Sequence, residues 1–155
     1  MQCKDRLETF LRDNAVPFQV QHHPLAYTAQ EVAAIEHIPG KMMTKVIMAY
    51  ADGRLVMLAL PAPRRVDVVK SATALGAREV RLAHEQEFAA TFPDCQVGAM
   101  PPFGNLYNVP VYVDKVLTDD DTIVFRAGTH TDTISLKYTD FDRLVKPTVA
   151  DLGRG

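Results

Sequence analysis

Lys45-Val46-Ile47-Met48-Ala49-Tyr50-Ala51-Asp52-Gly53-Arg54-Leu55-Val56-Met57-Leu58-Ala59-Leu60 reads as two apolar runs around an Asp-Gly pair. Asp-Gly between β-prone runs is the strongest short-range hairpin signal, because both residues tolerate positive φ. Two long strands at 45–50 and 54–60 therefore form the centre of the fold. Pro61 and Pro63 end the second, since proline cannot donate to a central ladder. Upstream, Leu7, Phe10 and Leu11 recur at helical spacing over 4–14, and 18–21 alternates as a short strand before His22-His23-Pro24 breaks it. Thr28-Ala29-Gln30-Glu31 is a capping box opening a helix through Val32, Ala33 and Ile35. Downstream, Asp67 and Gly76 bracket a helix with Val68, Val69, Ala72 and Leu75 on one face. A strand at 78–82 and a short helix at 84–91 follow.

Strands at 109–113 and 122–125 are expected to join through the acidic turn Thr118-Asp119-Asp120-Asp121. A further strand at 133–136 leads to a last helical turn capped by Thr139, and the 151–155 tail reads as loose. Hairpins and longer crossovers interleave, which predicts a mixed α/β (α+β) fold, 1–155 as a single domain. Its sheet is a curled mixed sheet or partly closed barrel with helices packed outside.

The chain has 155 residues, 47% of them apolar and 23% charged, in the range of ordinary globular domains and far from disordered compositions. No signal-peptide or membrane-spanning run is visible, and Cys3 and Cys95 lack metal-type or disulfide-framework spacing, so a reducing cytoplasm is the simplest setting. Net charge is −2. Residues 41–81 nevertheless carry eight basic side chains against three acidic ones. Gathered on one face, they would guide a phosphate backbone; dispersed, they would only solvate the surface.

Gly98-Ala99-Met100-Pro101-Pro102-Phe103-Gly104 has too much proline and glycine for a helix or central strand. It reads as a stiff loop offering backbone groups beside an apolar ring, either an ordinary rigid turn or a pocket wall. Lys45, beside its apolar run, either snorkels to solvent or faces a cleft as a cation. Gly128-Thr129-His130-Thr131 is a hydroxyl-rich turn with one imidazole. The five histidines show no paired ligand spacing, and no nucleophile elbow or phosphate-binding glycine loop occurs. No metal site and no cofactor are expected.

Three segments, Thr44-Lys45-Val46-Ile47-Met48-Ala49, Gly98 to Gly104 and Ala127-Gly128-Thr129-His130, occur in the order and spacing of a known family. The chain resembles the YbaK/prolyl-tRNA synthetase-associated domains, the trans-editing aminoacyl-tRNA deacylases, in their free-standing form. The resemblance implies hydrolysis of the ester on a mischarged tRNA, carrying Ala, Cys, Ser or Thr, with tRNA-Pro the favoured tRNA. It implies that Lys45 is the essential residue, placing the tRNA 3′ end. It also implies that Gly98, Ala99, Met100, Pro101, Pro102, Phe103 and Gly104 line the aminoacyl pocket, with Gly128, Thr129 and His130 touching the amino acid and Thr28 nearby. Mischarged tRNA and prolyl-tRNA synthetase are the implied partners, with no membrane. The second reading is a non-catalytic module that binds an aminoacyl or nucleotide-like ligand or a synthetase.

Overall fold

Asp52 and Gly53 have φ values of 50° and 84°, the left-handed pair that a tight two-residue hairpin turn needs. The two apolar runs accordingly fold back on one another. The computed structural model describes residues 2–155. In chain order these form α1 (Cys3–Asp13), β1 (Gln19–His22), α2 (Ala29–Glu36), β2 (Met43–Ala51), β3 (Arg54–Pro61), β4 (Arg65–Val66) and α3 (Val68–Leu75). They continue with β5 (Val80–Leu82), α4 (Glu85–Phe88), β6 (Val111–Asp114), β7 (Thr122–Arg126), β8 (Asp132–Lys137), α5 (Tyr138–Val145), β9 (Thr148–Ala150) and β10 (Gly153–Arg154).

The main sheet runs β1-β8-β7-β2-β3-β6-β9, and β5 pairs with the far end of β2. The β2–β3, β7–β8, β1–β8 and β2–β5 pairs are antiparallel, while β2–β7, β3–β6 and β6–β9 are parallel. The mixed sheet predicted from the interleaved elements is therefore present. β3 is buried along most of its length because both faces of the sheet are covered. On one face, Leu7 and Leu11 of α1 and Phe141 of α5 pack with Met48, Met57, Val113, Phe125 and Ile134. On the other, Ala29, Val32 and Ala33 of α2 meet Met43 and Val124, and α3 covers Leu58 and Leu60.

Local signals account for the helix ends. Thr28 Oγ1 accepts from the Glu31 N–H at 3.1 Å and donates to the Glu31 carboxylate at 3.0 Å. Asp67 accepts from the Lys70 N–H, and Gly76 closes α3 with φ 69°. At α5, the helix begins two residues earlier than a Thr139 cap would place it, with Lys137 at its cap position and the Tyr138 N–H donating to the Asp121 carbonyl.

Other expectations fail for tertiary reasons. β6 and β7 are not partners; β6 lies between β3 and β9, and the segment Lys115–Asp119 carries the chain across in a 3₁₀ turn. The tail is not loose. Gly153 and Arg154 pair with Val66 and Arg65. Leu152 is fully buried, and its N–H donates to Asp114, a buried carboxylate also held by Arg64 at 2.9 Å. A buried charge needs such partners, and the tail supplies one. Cys3 and Cys95, expected to be unconnected, are joined as a disulfide, with Cα atoms 4.8 Å apart. That pairing removes the cysteines as grounds for a reducing compartment. Among the described residues no helix is long and apolar enough to cross a membrane.

Candidate active site

Residues 96–99 form a tight turn, closed by the Ala99 N–H donating to the Gln96 carbonyl at 3.0 Å. Gly98 sits third in it with φ 84°, the position that demands positive φ in a type II turn. The turn is laced to the 128–130 segment. The Gln96 N–H donates to the Gly128 carbonyl and the Gly128 N–H donates to the Ala99 carbonyl, each at 2.9 Å. The His130 N–H donates to Gln96 Oε1 at 2.8 Å, and His130 Nε2 lies 2.8 Å from the Val97 carbonyl. A carbonyl only accepts, so Nε2 is the donor. Nδ1 is buried and has no partner among the described residues. The two glycine segments singled out in the sequence are thus one structural unit.

Gly128, with φ 93°, also lies against Cys3: a Cβ there would sit 2.6 Å from Cys3 Sγ. Only glycine lets the strand end pass over the disulfide. Thr129 is occupied by its own turn, its hydroxyl donating to Asp132 at 2.7 Å. The other face of Asp132 takes His22 Nδ1 at 3.0 Å, and His23 Nδ1 donates to the Pro24 carbonyl at 2.7 Å. Both of these histidines therefore act in strand-end packing, as their sequence context suggested.

The loop itself divides. Gly98 is exposed, whereas Ala99, Met100, Pro101, Pro102, Phe103 and Gly104 are buried. The Phe103 ring, expected beside a pocket, lies in the core with centroids 5.4 Å from Phe125, 5.5 Å from Phe141 and 6.3 Å from Phe10. A Cβ on Gly104 would fall 2.6 Å from the Val109 carbonyl oxygen, so this glycine answers to packing. Between the two ends, the prolines fix φ and transmit the position of one to the other.

A third segment closes on this unit. The Ala26 N–H donates to the His130 carbonyl at 3.3 Å, and the exposed Tyr27 ring stands 5.0 Å from the His130 ring. Thr28, next in the chain, spends its hydroxyl on capping α2. Arg126, at the end of β7, is buried and joins the segments: Nη1 donates to the Gly98 carbonyl at 3.2 Å and Nη2 to the Tyr27 carbonyl. Sequence reading passed over it, because a strand-end arginine ordinarily signals solvent.

Lys45 reaches the same neighbourhood through the sheet. Met43 and Thr44 pair in parallel with Val124 and Phe125, so Lys45 runs alongside Arg126. Strand alternation puts both on the α2-covered face with Met43 and Val124. Lys45 is half-buried, and its ammonium has no hydrogen bond or ion pair among the described residues. Burial, and then the nearby positive charge of Arg65, pull its pKa below the ordinary lysine value of 10.5. The rest of the basic section is partly neutralised. Arg64 and Lys70 meet Asp151, and Arg81 meets Glu87 at 2.9 Å. Part of the basic section is therefore paired with carboxylates rather than free.

Residues 23–144 match the family model of the aminoacyl-tRNA editing domain. Over 126 residues the chain is 29% identical to the proline–tRNA ligase of Acidithiobacillus ferrooxidans, covering 81% of this chain and 22% of that enzyme. It spans about a fifth of the length of that ligase. Over 154 residues it is 25% identical to the multifunctional Ser/Thr-tRNA deacylase ProXp-y of Escherichia coli K12, covering 96% of this chain and 92% of that protein. A crystal structure provisionally described as a trans-editing enzyme for prolyl tRNA synthetase superposes with a TM-score of 0.85 at 20% identity, covering 100% of this chain and 99% of the other, and so shares the fold. Because the family model extends over most of its length, this chain belongs to the aminoacyl-tRNA editing domain family.

Proposed function

We propose that this protein is an aminoacyl-tRNA deacylase that hydrolyses the ester between a small amino acid and tRNA. The observation that carries this reading is the position of Lys45, an unpaired, half-buried ammonium on the strand beside Arg126, whose side chain holds the 96–99 turn. The N–H groups of Val97 and Gly98 have no acceptor among the described residues. Such fixed donors stabilise an oxyanion as it forms. Lys45 attracts the phosphate and ribose of the tRNA 3′ end, and His130, laced to the same turn, stands against the amino acid. Water adds to the ester carbonyl, the bond to the ribose oxygen breaks, and that oxygen leaves with a proton. The products are a free amino acid and uncharged tRNA. An activated ester needs no protein nucleophile, and placement supplies much of the rate.

The pocket serves as a second sieve for side chains that a synthetic site discriminates poorly. Serine and threonine are the first candidates, given the name of the Escherichia coli relative, with alanine and cysteine next. Resemblance to proline–tRNA ligases favours tRNA-Pro, prolyl-tRNA synthetase as a partner, and the cytoplasm as the compartment.

Ala-, Cys-, Ser- and Thr-tRNA, with Pro-tRNA as control, form the test panel for wild type and Lys45→Ala. One misacyl ester should be lost with Pro-tRNA spared, and the variant should be slower by about 10²–10³-fold. A folded wild-type protein that turns over none of these esters would sink the proposal in favour of a binding module.

A further inference from the structure

We propose that Arg126 is a positioning residue for the aminoacyl site, clamping together the 96–99 turn and the segment that enters α2. This rests on the deacylase reading above.

Arg126 is 8% exposed, and no carboxylate lies within ion-pair distance among the described residues. Its guanidinium is spent on two backbone carbonyls, those of Gly98 and Tyr27. Burying a cation against neutral partners is unfavourable compared with an apolar side chain of similar size. The arrangement is therefore poor as packing and effective as a clamp. The two carbonyls belong to two segments that meet at His130: Gly98 to the turn laced to it, Tyr27 to the segment that enters α2. The planar fork fixes both acceptors at once.

Each bond also orients a peptide plane. With the Gly98 carbonyl turned to Arg126, the next N–H, that of Ala99, closes the turn on Gln96. With the Tyr27 carbonyl turned the same way, the Tyr27 ring, 64% exposed, is presented beside His130. The placement of ring and turn relative to each other is thus set by one side chain, and through that placement Arg126 acts on which aminoacyl esters are accepted. Lysine keeps the charge at this position but lacks the fork.

Arg126→Lys should fold with the wild-type melting temperature to within a few degrees, since the charge and most of the stem remain. Its kcat/KM toward the preferred misacyl ester should fall about 10- to 100-fold, the scale of a misplacement near 1 Å. The diagnostic readout is selectivity: the ratio of preferred ester to Pro-tRNA hydrolysis should drop with it. In Arg126→Ala, added guanidinium should restore rate and ratio, while methylammonium should not. Unchanged kcat/KM and ratio in Arg126→Lys would overturn the proposal. So would an equal fall for every ester that guanidinium leaves untouched.

Amide hydrogen exchange gives a reading independent of turnover. In Arg126→Lys, the amides of Ala26 and Ala99, bonded to the His130 and Gln96 carbonyls, should exchange at least tenfold faster while those of the β2–β3 hairpin stay protected. Equal exchange in both proteins overturns the clamp. If the wild type hydrolyses no ester, the deacylase reading fails, and the exchange result still decides whether Arg126 ties the two segments.

Discussion

Gly98 and Phe103 belong to one short loop but are held by different forces. Gly98 is exposed, and its turn is fixed by hydrogen bonds to Gly128, His130 and Arg126. Phe103 is fully buried and is fixed by three aromatic neighbours. Pro101-Pro102 lies between them, so the ring anchors the turn through a segment with little torsional freedom. A turn built this way takes its rigidity from the core and leaves its backbone donors unengaged.

Breaking the packed half should have the largest effect. Phe103→Ala removes a fully buried ring and should lower stability by about 3–5 kcal/mol, read from urea denaturation. Deacylation should fall along with it, even at temperatures where the variant is folded, because the turn loses its anchor. A loss below about 1 kcal/mol would mean the ring is replaceable and the anchor lies elsewhere.

Beneath the hydrogen-bonded half, the Cys3–Cys95 disulfide closes a separation of 92 residues and carries Gly128 across its sulfurs. Cys3→Ser, or reduction of the wild type, should lower stability by about 2–4 kcal/mol. Melting of the wild type should respond to dithiothreitol, and melting of Cys3→Ser should not. Equal response in the two proteins would show that the bond contributes nothing under the conditions used.

What could be read in advance depended on the range of the interaction. Asp52-Gly53, the Thr28 cap and the Asp67 to Gly76 helix are local, and each residue type states its own geometry. β9 and β10 are only three and two residues long, too short for any alternation to show. They exist because buried Asp114 and the free edge of β6 need partners. The disulfide and Arg126 escaped for the same reason: neither has a signal near it in sequence. In the 98–104 loop, glycine and proline announced stiffness, but nothing in their order said which end would meet solvent and which the core. The site was legible as three segments, and its joinery was not.

The smallest effect, and the one that isolates the site from its scaffold, concerns Arg65. Burial is the larger cause of the lowered Lys45 pKa, and the Arg65 charge is the second. If the ammonium is the working form, the alkaline limb of kcat/KM falls at a pH below 10.5, the ordinary value for lysine. Arg65→Gln removes the repulsion alone, so the limb should move to higher pH without reaching 10.5, and rates well below the limb should coincide with wild type. The same shift has a sign in stability. Between the folded pKa and 10.5 the unfolded chain binds the Lys45 proton more tightly, so this residue makes stability rise with pH there, and Arg65→Gln should flatten that rise. Lys45→Arg supplies the control, since its guanidinium does not titrate in this range and the limb should disappear. A limb that persists in Lys45→Arg, at the wild-type pH, would show that some other group titrates and that the Lys45 charge is not what the reaction uses.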